Sequence, residues 1–379
     1  MPTRKSGTNV LKKWGIYTYI AGDNNLSDFG LQDIEEMAKA GASKDVHVSA
    51  QIDTRGEHTG SIRYEISEPD FEGISHRTVI QRLGEQNTGE PRYLAQYAKW
   101  AAQRYPAKNR LLVVWNHGAG FMHTPTRDIA YDDSSRGDAL TMGELRWAME
   151  HAGFGTGALG RLGILGFDAC LMNMLEVAYE FTGLTDFVVG SQQTEPGDGW
   201  PYHAVVAGAQ RNTDPKTLAT RIVTAYISHY KKTGDLGVTQ SALDLRQLPA
   251  VSKAVDKLGG ELLKLIGAKK GKILEARVVT QGYEEPTYVD LVDLAKNLSA
   301  KMGDARVKAA CNATTAAVIK GAVVANGTYG GSVRRSAGLS LWFPLVRTDY
   351  VTRRSEYVAL RYSKDYPNWA QFLDVLLAG

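Results

Sequence analysis

Five near-continuous apolar runs punctuate the first half of the chain: WGIYTYIAG (14–22), VHVSAQID (46–53), RLLVVWNHG (110–118), LGILGFDAC (162–170) and DFVVGSQQ (186–193). Between them, LSDFGLQDIEEMAKAG, PRYLAQYAKWAAQRY, TMGELRWAMEHAG and the segment after Cys170 repeat apolar residues at three- and four-residue spacing. Strands hydrophobic throughout are buried on both faces, and amphipathic helices between them supply the covers. The pattern predicts an α/β fold with a mostly parallel central sheet. SIRYEIS, near position 65, alternates instead and reads as an antiparallel hairpin strand outside the parallel core. From 214 onward helical patterns dominate: DPKTLATRIVTAYISHYKK, LPAVSKAVDKLGGELLKLI, TYVDLVDLAKNLSAKM and a helix around Cys311. GLSLWFPL (338–345) reads as one more buried strand and YPNWAQFLDVLLAG as a closing helix. The expected division is an α/β core over 1–213 and a helix-rich region over 214–379 that returns the strand 338–345 to the core.

Composition narrows the class without naming a partner. The chain has 379 residues, 43% apolar and 22% charged, as an ordinary globular protein has. Forty-four basic against 41 acidic residues give a formal charge of +3. The basic residues are scattered, so no nucleic-acid stripe is expected. No stretch approaches the ~18 uninterrupted apolar residues of a membrane span. The start, MPTRKSGTNVLKKWG, is basic but lacks the apolar stretch of a secretory signal, and a mature secreted form with its leader removed is equally compatible with it. Localisation and oligomeric state stay open. Cys170 and Cys311 form neither a disulfide framework nor a CxxC metal pair.

The chemistry-bearing residues gather at two strand ends. RLLVVWNHGAG delivers His117 and Gly118, and LGILGFDAC delivers Cys170. If both strands are parallel and adjacent, with the helix near 141–153 as their crossover, thiol and imidazole emerge at one edge of the sheet. A thiolate can then attack a carbonyl carbon while imidazole handles the proton, and no metal is needed. Gly118 lets its N–H approach a substrate oxygen, so its amide and that of Cys170 are the expected oxyanion donors. A helix beginning directly behind Cys170 would favour its thiolate. The plainer reading makes Cys170 a buried small hydrophobe and His117 a loop histidine. Cys311, inside VKAACNATTAAVIK, is assigned to packing, and Asp23, Asn24 and Asn25 to a strand-to-helix turn with a capping role. The stretch HTPTRDIAYDDSSRGDAL (123–140) lacks any period and apolar anchors, which predicts an exposed functional loop.

The ordered set WNHGAG, GFDACLM and SQQTEPGDGWPY (191–202) resembles the clostripain-like cysteine peptidases, relatives of caspases, gingipains, legumain and separase. IAGDNNLSDFGLQDIEEM, YVDLVDLA, GLSLWFP and YPNWAQFLDVLL extend the resemblance over most of the chain. It implies a caspase-like α/β/α sandwich, a catalytic dyad at His117 and Cys170, and cleavage of peptides or proteins after Arg and, more weakly, Lys. Asp168 and Asp198 match positions associated with the basic-residue pocket, where carboxylates suit a guanidinium. Otherwise Asp168 is a helix cap and Asp198 part of a GDG turn. Trp200 and Tyr202 are pocket wall or core. The resemblance also implies self-cleavage after His117, with Arg127 and Arg136 the two candidates. Clostripain is associated with calcium, but no EF-hand loop localises a site, so no cofactor or metal ligand is assigned. A caspase-fold peptidase of other specificity and a silent caspase-fold binding module remain as alternatives.

Overall fold

The computed structural model describes residues 10–55, 60–124, 128–211 and 213–377. Its strands are β1 (Lys12–Gly22), β2 (Val46–Thr54), β3 (Ser61–Ile66), β4 (Arg77–Gly84), β5 (Ala107–Trp115), β6 (Leu162–Asp168), β7 (Thr185–Gly190), β8 (Val238–Asp244), β9 (Tyr288–Asp290), β10 (Val323–Tyr329) and β11 (Ser340–Trp342). Nine of them form one sheet in the order β10-β8-β7-β6-β5-β1-β2-β3-β4. The middle five, β7 to β2 in that order, are parallel, and antiparallel pairs close both flanks. These five are the apolar runs read from the sequence.

Alternate residues of each central strand enter different cores, which is why the runs are apolar at every position. Leu112 and Val114 of β5 pack with helices Pro91–Arg104 and Met142–Ala152. Leu111 and Val113 pack on the opposite face with helices Ser27–Ala40, Tyr202–Gln210 and Pro215–Thr233. Two covered faces make an α/β/α sandwich. Helix Met142–Ala152 is the β5-to-β6 crossover, and it starts where the sequence signals a start: Thr141 and Glu144 form a capping box.

The C-terminal region departs from expectation in two ways. GLSLWFPL is buried, but β11 pairs with β9 in a separate two-stranded sheet and not with the nine-stranded one. It touches the core instead through Asn173 and Glu176, with the Ser340 amide on the Asn173 carbonyl (3.1 Å) and the Trp342 amide on Glu176 Oε1 (2.9 Å). The strands that residues beyond 213 do return to the large sheet are β8 and β10, so that sheet runs across the expected 213/214 division. Helices Leu248–Leu263, Leu291–Met302, Ala305–Ala316 and Asn368–Leu377 thicken one cover, and Cys311 lies within it, 1% exposed.

Candidate active site

β5 and β6 are adjacent and parallel, and Trp115 opposite Asp168 is the last rung of their ladder. His117 and Cys170 each lie two residues past it, so equal overshoot brings them to the same edge. Both are half-buried, and both line a cavity of about 620 Å³ and a narrower one of about 140 Å³. Gly118 sits where a side chain could not: a Cβ there would stand 2.5 Å from the Cys170 carbonyl oxygen and 3.2 Å from its nitrogen. Glycine therefore lets the two strand ends close on one another beside the thiol.

His117 is oriented by residues the sequence reading left to structure. Its Nε2 lies 2.8 Å from Asn25 Oδ1. With that oxygen accepting, Nε2 carries the hydrogen and Nδ1 holds the lone pair, the arrangement a general base requires. Asn116 braces the same segment: its Oδ1 accepts the amides of His117 (2.6 Å) and Tyr131 (3.3 Å), and its Nδ2 reaches the Ala21 carbonyl. Asn24 braces the turn, donating to Ala21 and Tyr131 carbonyls and accepting the Leu26 amide, but the expected helix-capping role is unfilled: the N-cap position of helix Ser27–Ala40 is Leu26, with no side-chain cap. The DNN motif thus divides its work. Turn bracing accounts for Asn24, and nothing in the sequence alone separates Asn25 from it.

The expectation of a helix directly behind Cys170 is corrected. That helix spans Leu175–Glu180, and Leu171 intervenes with a left-handed φ of 65°. No helix dipole reaches the sulfur. Its polar partner is instead the Glu195 amide, which donates to Cys170 Sγ at 3.3 Å. An N–H aimed at sulfur complements negative charge there. The Leu171 amide on the Gln193 carbonyl and the Asn173 amide on the Ser191 carbonyl hold the turn against the segment after β7. Leu171, Ala130 and Arg136 are the non-glycine residues with positive φ among those described, and Leu171 directly follows Cys170. Such strain persists where surrounding structure enforces it. Cys311 differs in kind, its thiol pushed up to about 12 by burial.

The narrower cavity has an acidic lining, with one member changed from expectation. Asp168 contributes to it, and its Oδ2 accepts the Trp200 amide (3.2 Å) and the Tyr202 hydroxyl (2.8 Å). It caps no helix. Asp198 is exposed, and Gly197 and Gly199 on either side of it line the cavity where Asp198 does not. Gly199, at φ 58°, turns the chain so tightly onto Asp168 that a Cβ would stand 3.0 Å from both carboxylate oxygens. The second lining carboxylate is Glu195, three residues earlier in the same SQQTEPGDGWPY stretch. Burial raises Asp168 to about 6, against the opposing hydrogen bond to Glu195, and burial followed by the Asp168 charge raises Glu195 well above the ordinary range. Each of the two charges disfavours the other, so this pair holds a proton more tightly than an isolated carboxylate does. Trp200 and Tyr202 are fully buried core residues that steady Asp168.

The stretch 123–140 is better anchored than its composition suggested. Asp128, Ile129, Ala130 and Asp132 are buried, the Leu140 amide bonds the Ile129 carbonyl (3.0 Å), and Asp132 pairs with Asp138. Arg136 is exposed at the tip of that turn in a left-handed conformation. Arg127 lies outside the described residues.

A sandwich with a mostly parallel sheet, carrying cysteine and histidine at the ends of adjacent central strands, belongs to the caspase-like class of folds. Within that class the chain belongs to the clostripain family, whose sequence profile matches residues 18–376. Clostripain of Hathewaya histolytica is 26% identical over 314 residues, 69% of this chain, and the chain spans 58% of that relative's length. Among solved structures, a secreted cysteine protease of Bacteroides thetaiotaomicron in complex with an irreversible peptide inhibitor superposes with a TM-score of 0.70 at 21% identity, covering 92% of this chain and 98% of that one. An inactive zymogen protease of Parabacteroides distasonis gives 0.74 at 19% identity, covering 94% and 99%.

Proposed function

We propose that the chain is a cysteine endopeptidase that cleaves peptide bonds after Arg and, more weakly, Lys. In this reading Cys170 Sγ attacks the scissile carbonyl, the Gly118 and Cys170 amides receive the developing oxyanion, and His117 protonates the leaving amine. Water then hydrolyses the acyl-thioester. The observation that supports it most is the shared cavity: Cys170 and His117 stand at its rim with the buried Asp168–Glu195 pair along it. Two carboxyl groups lining one narrow, largely apolar slot suit a guanidinium, which can meet both in a fork that an ammonium cannot match. Family membership supports the peptidase chemistry and leaves the specificity to this pocket.

Self-cleavage after His117 belongs to the same reading, at Arg127 or at Arg136. Arg136 would have to leave its tight turn, since a protease cleft takes extended chain.

Fluorogenic substrates bearing Arg, Lys or Asp before the scissile bond test the proposal. Arg is expected to lead, Lys to follow and Asp to fail, and Cys170→Ala to abolish turnover while leaving the melting temperature near that of the parent. Retained amidase activity in Cys170→Ala would overturn the chemistry, and an Asp preference would overturn the pocket assignment. A fold that binds the peptides without turning any over would point to the silent module. Intact-mass spectrometry of active protein beside Cys170→Ala reads self-cleavage, and a single uncut species in the active sample would remove it.

A further inference from the structure

A second acidic group lies near His117, and nothing in the peptide chemistry above uses it. Asp23 directly follows β1, Glu85 directly follows β4, and Asp132 lies in the segment after His117. One carboxylate oxygen from each falls within 4.8 Å of the other two. Oxygens on opposite sides of an ion bound at about 2.3–2.6 Å stand roughly 5 Å apart, so these three fit around one ion.

Asp23 supplies the independent sign of a missing partner. It is 1% exposed, and no amide, hydroxyl or cation among the described residues meets either of its carboxylate oxygens, whose acidic neighbour Glu85 is itself raised by the contact. A buried carboxylate left so is strongly disfavoured unless a positive charge meets it. Among the described residues no lysine, arginine or histidine pairs with Asp23, Glu85 or Asp132. Asp132 is fully buried and held in place, its Oδ2 accepting the Thr88 amide (2.8 Å) and hydroxyl (3.1 Å) and its Oδ1 the Ser135 amide (2.8 Å). Each of those oxygens retains lone-pair capacity toward an ion.

We propose that Asp23, Glu85 and Asp132 bind a hard divalent cation, calcium in preference to magnesium, and that the ion ties the turn carrying Asn25 to the segment following His117. An all-oxygen donor set selects hard cations over zinc or copper. Calcium accepts irregular, mixed-depth oxygen shells, whereas magnesium demands near-octahedral geometry and keeps its waters. Exposed Glu85 marks the side from which the ion enters and from which water completes the shell. The residues therefore fit the calcium association that accompanies the family resemblance. No loop motif announced the site because its three ligands come from three separate segments. The Asp23 carbonyl already accepts the Asp133 amide at 2.8 Å, and Asp23 lies two residues before Asn25, so occupancy would stiffen both supports of His117.

The test uses the full chain carrying Cys170→Ala, stripped with chelator, so that its outcome is independent of peptidase activity. Calorimetric titration with calcium chloride is expected to show one saturable site, and millimolar calcium to raise the melting temperature by about 3–5 °C, with magnesium weaker on both readouts. Adding Asp23→Asn should remove the heat and the thermal shift. In chelator that variant should melt no lower than its parent, because an amide of the same shape replaces an unpaired buried charge. No saturable heat with an unmoved melting temperature, or an Asp23→Asn variant that titrates like its parent, would overturn the assignment.

Discussion

The acidic pair beyond β6 and the acidic triad beyond β1 stand at the same edge of the sheet, with β5 and its histidine between them. Asp168 has protein donors, the Trp200 amide and the Tyr202 hydroxyl, and Glu195 has Gln240 Nε2 at 3.3 Å. Burial makes both carboxyl groups hold a proton more tightly than free ones do. Among the described residues no amide, hydroxyl or cation meets Asp23, whose neighbours are the acidic Glu85 and Asp132. A cluster supplied with donors persists through repeated filling and emptying, as a substrate pocket must. A buried carboxylate without them, as Asp23 is, depends on a resident ion. The presence or absence of neutral hydrogen-bond donors thus separates Asp168 from Asp23, which charge counting treats alike.

The sharpest way to break this comparison is to exchange single oxygens for amides. Asp168→Asn should lower kcat/KM for Arg substrates at least about tenfold, or ~1.4 kcal/mol in transition-state binding, and leave calcium heat unchanged. Asp23→Asn should remove the calcium heat and leave the preference for Arg over Lys intact. Loss of that preference in Asp23→Asn, or of the calcium heat in Asp168→Asn, would show that the clusters are one site and not two. Glu195→Gln should cost Arg substrates less than Asp168→Asn, because an uncharged amide still satisfies Gln240, and Asp198→Ala should cost less again. An Asp198 effect equal to that of Asp168 would show that its exposed carboxylate closes over bound substrate.

Asn25 links the two regions, lying two residues from Asp23 and bonded to His117. Asn25→Ala should reduce kcat about tenfold with KM nearly unchanged and shift the pH profile of kcat, since the imidazole loses the partner that sets its tautomer. A rise in KM alone would mean a role in substrate contact instead.

pH offers a milder probe. Asp168, raised to about 6, must ionise to receive a guanidinium, so kcat/KM for Arg substrates should climb as pH passes upward through about 6. Substrates with a neutral side chain at that position should lack this limb. The smallest effect concerns stability at Glu176, fully buried and raised by burial from 4.5 to about 7. A folded state that prefers the protonated acid gains stability fully present below the unfolded value near 4.5 and lost as pH rises through about 7. Chemical denaturation should therefore show Glu176→Gln more stable than the parent at about pH 8 and equal to it at about pH 4.

Much of this edge was legible because burial on two faces leaves an unmistakable apolar record. The runs ending at Trp115 and Asp168 announced both the strands and the helix between them. β8 escaped because its buried polar residues Thr239, Gln240 and Ser241 serve hydrogen bonds to the site and read as loop, and β10 because it is a half-buried edge strand. β4 escaped because it is an exposed edge strand with almost no apolar face. Glu195 was hidden by its neighbours: TEPGDG is turn chemistry, and only the fold shows that Glu195 lies against Cys170. The helix start was misplaced since LMNM holds no capping signal at Cys170, and the left-handed Leu171 has no counterpart in a pattern of apolar spacing.

The β5–β6 ladder has a consequence for any molecule cut between those strands, whatever makes the cut. The two fragments remain woven through the centre of one sheet, so the nicked protein keeps its shape and its cleft. Its folding reaction, however, changes order: recovery after unfolding now requires two chains to meet, and its rate depends on dilution. An intact chain can forget and regain its structure on its own, whereas a nicked one survives in dilute solution chiefly by unfolding slowly.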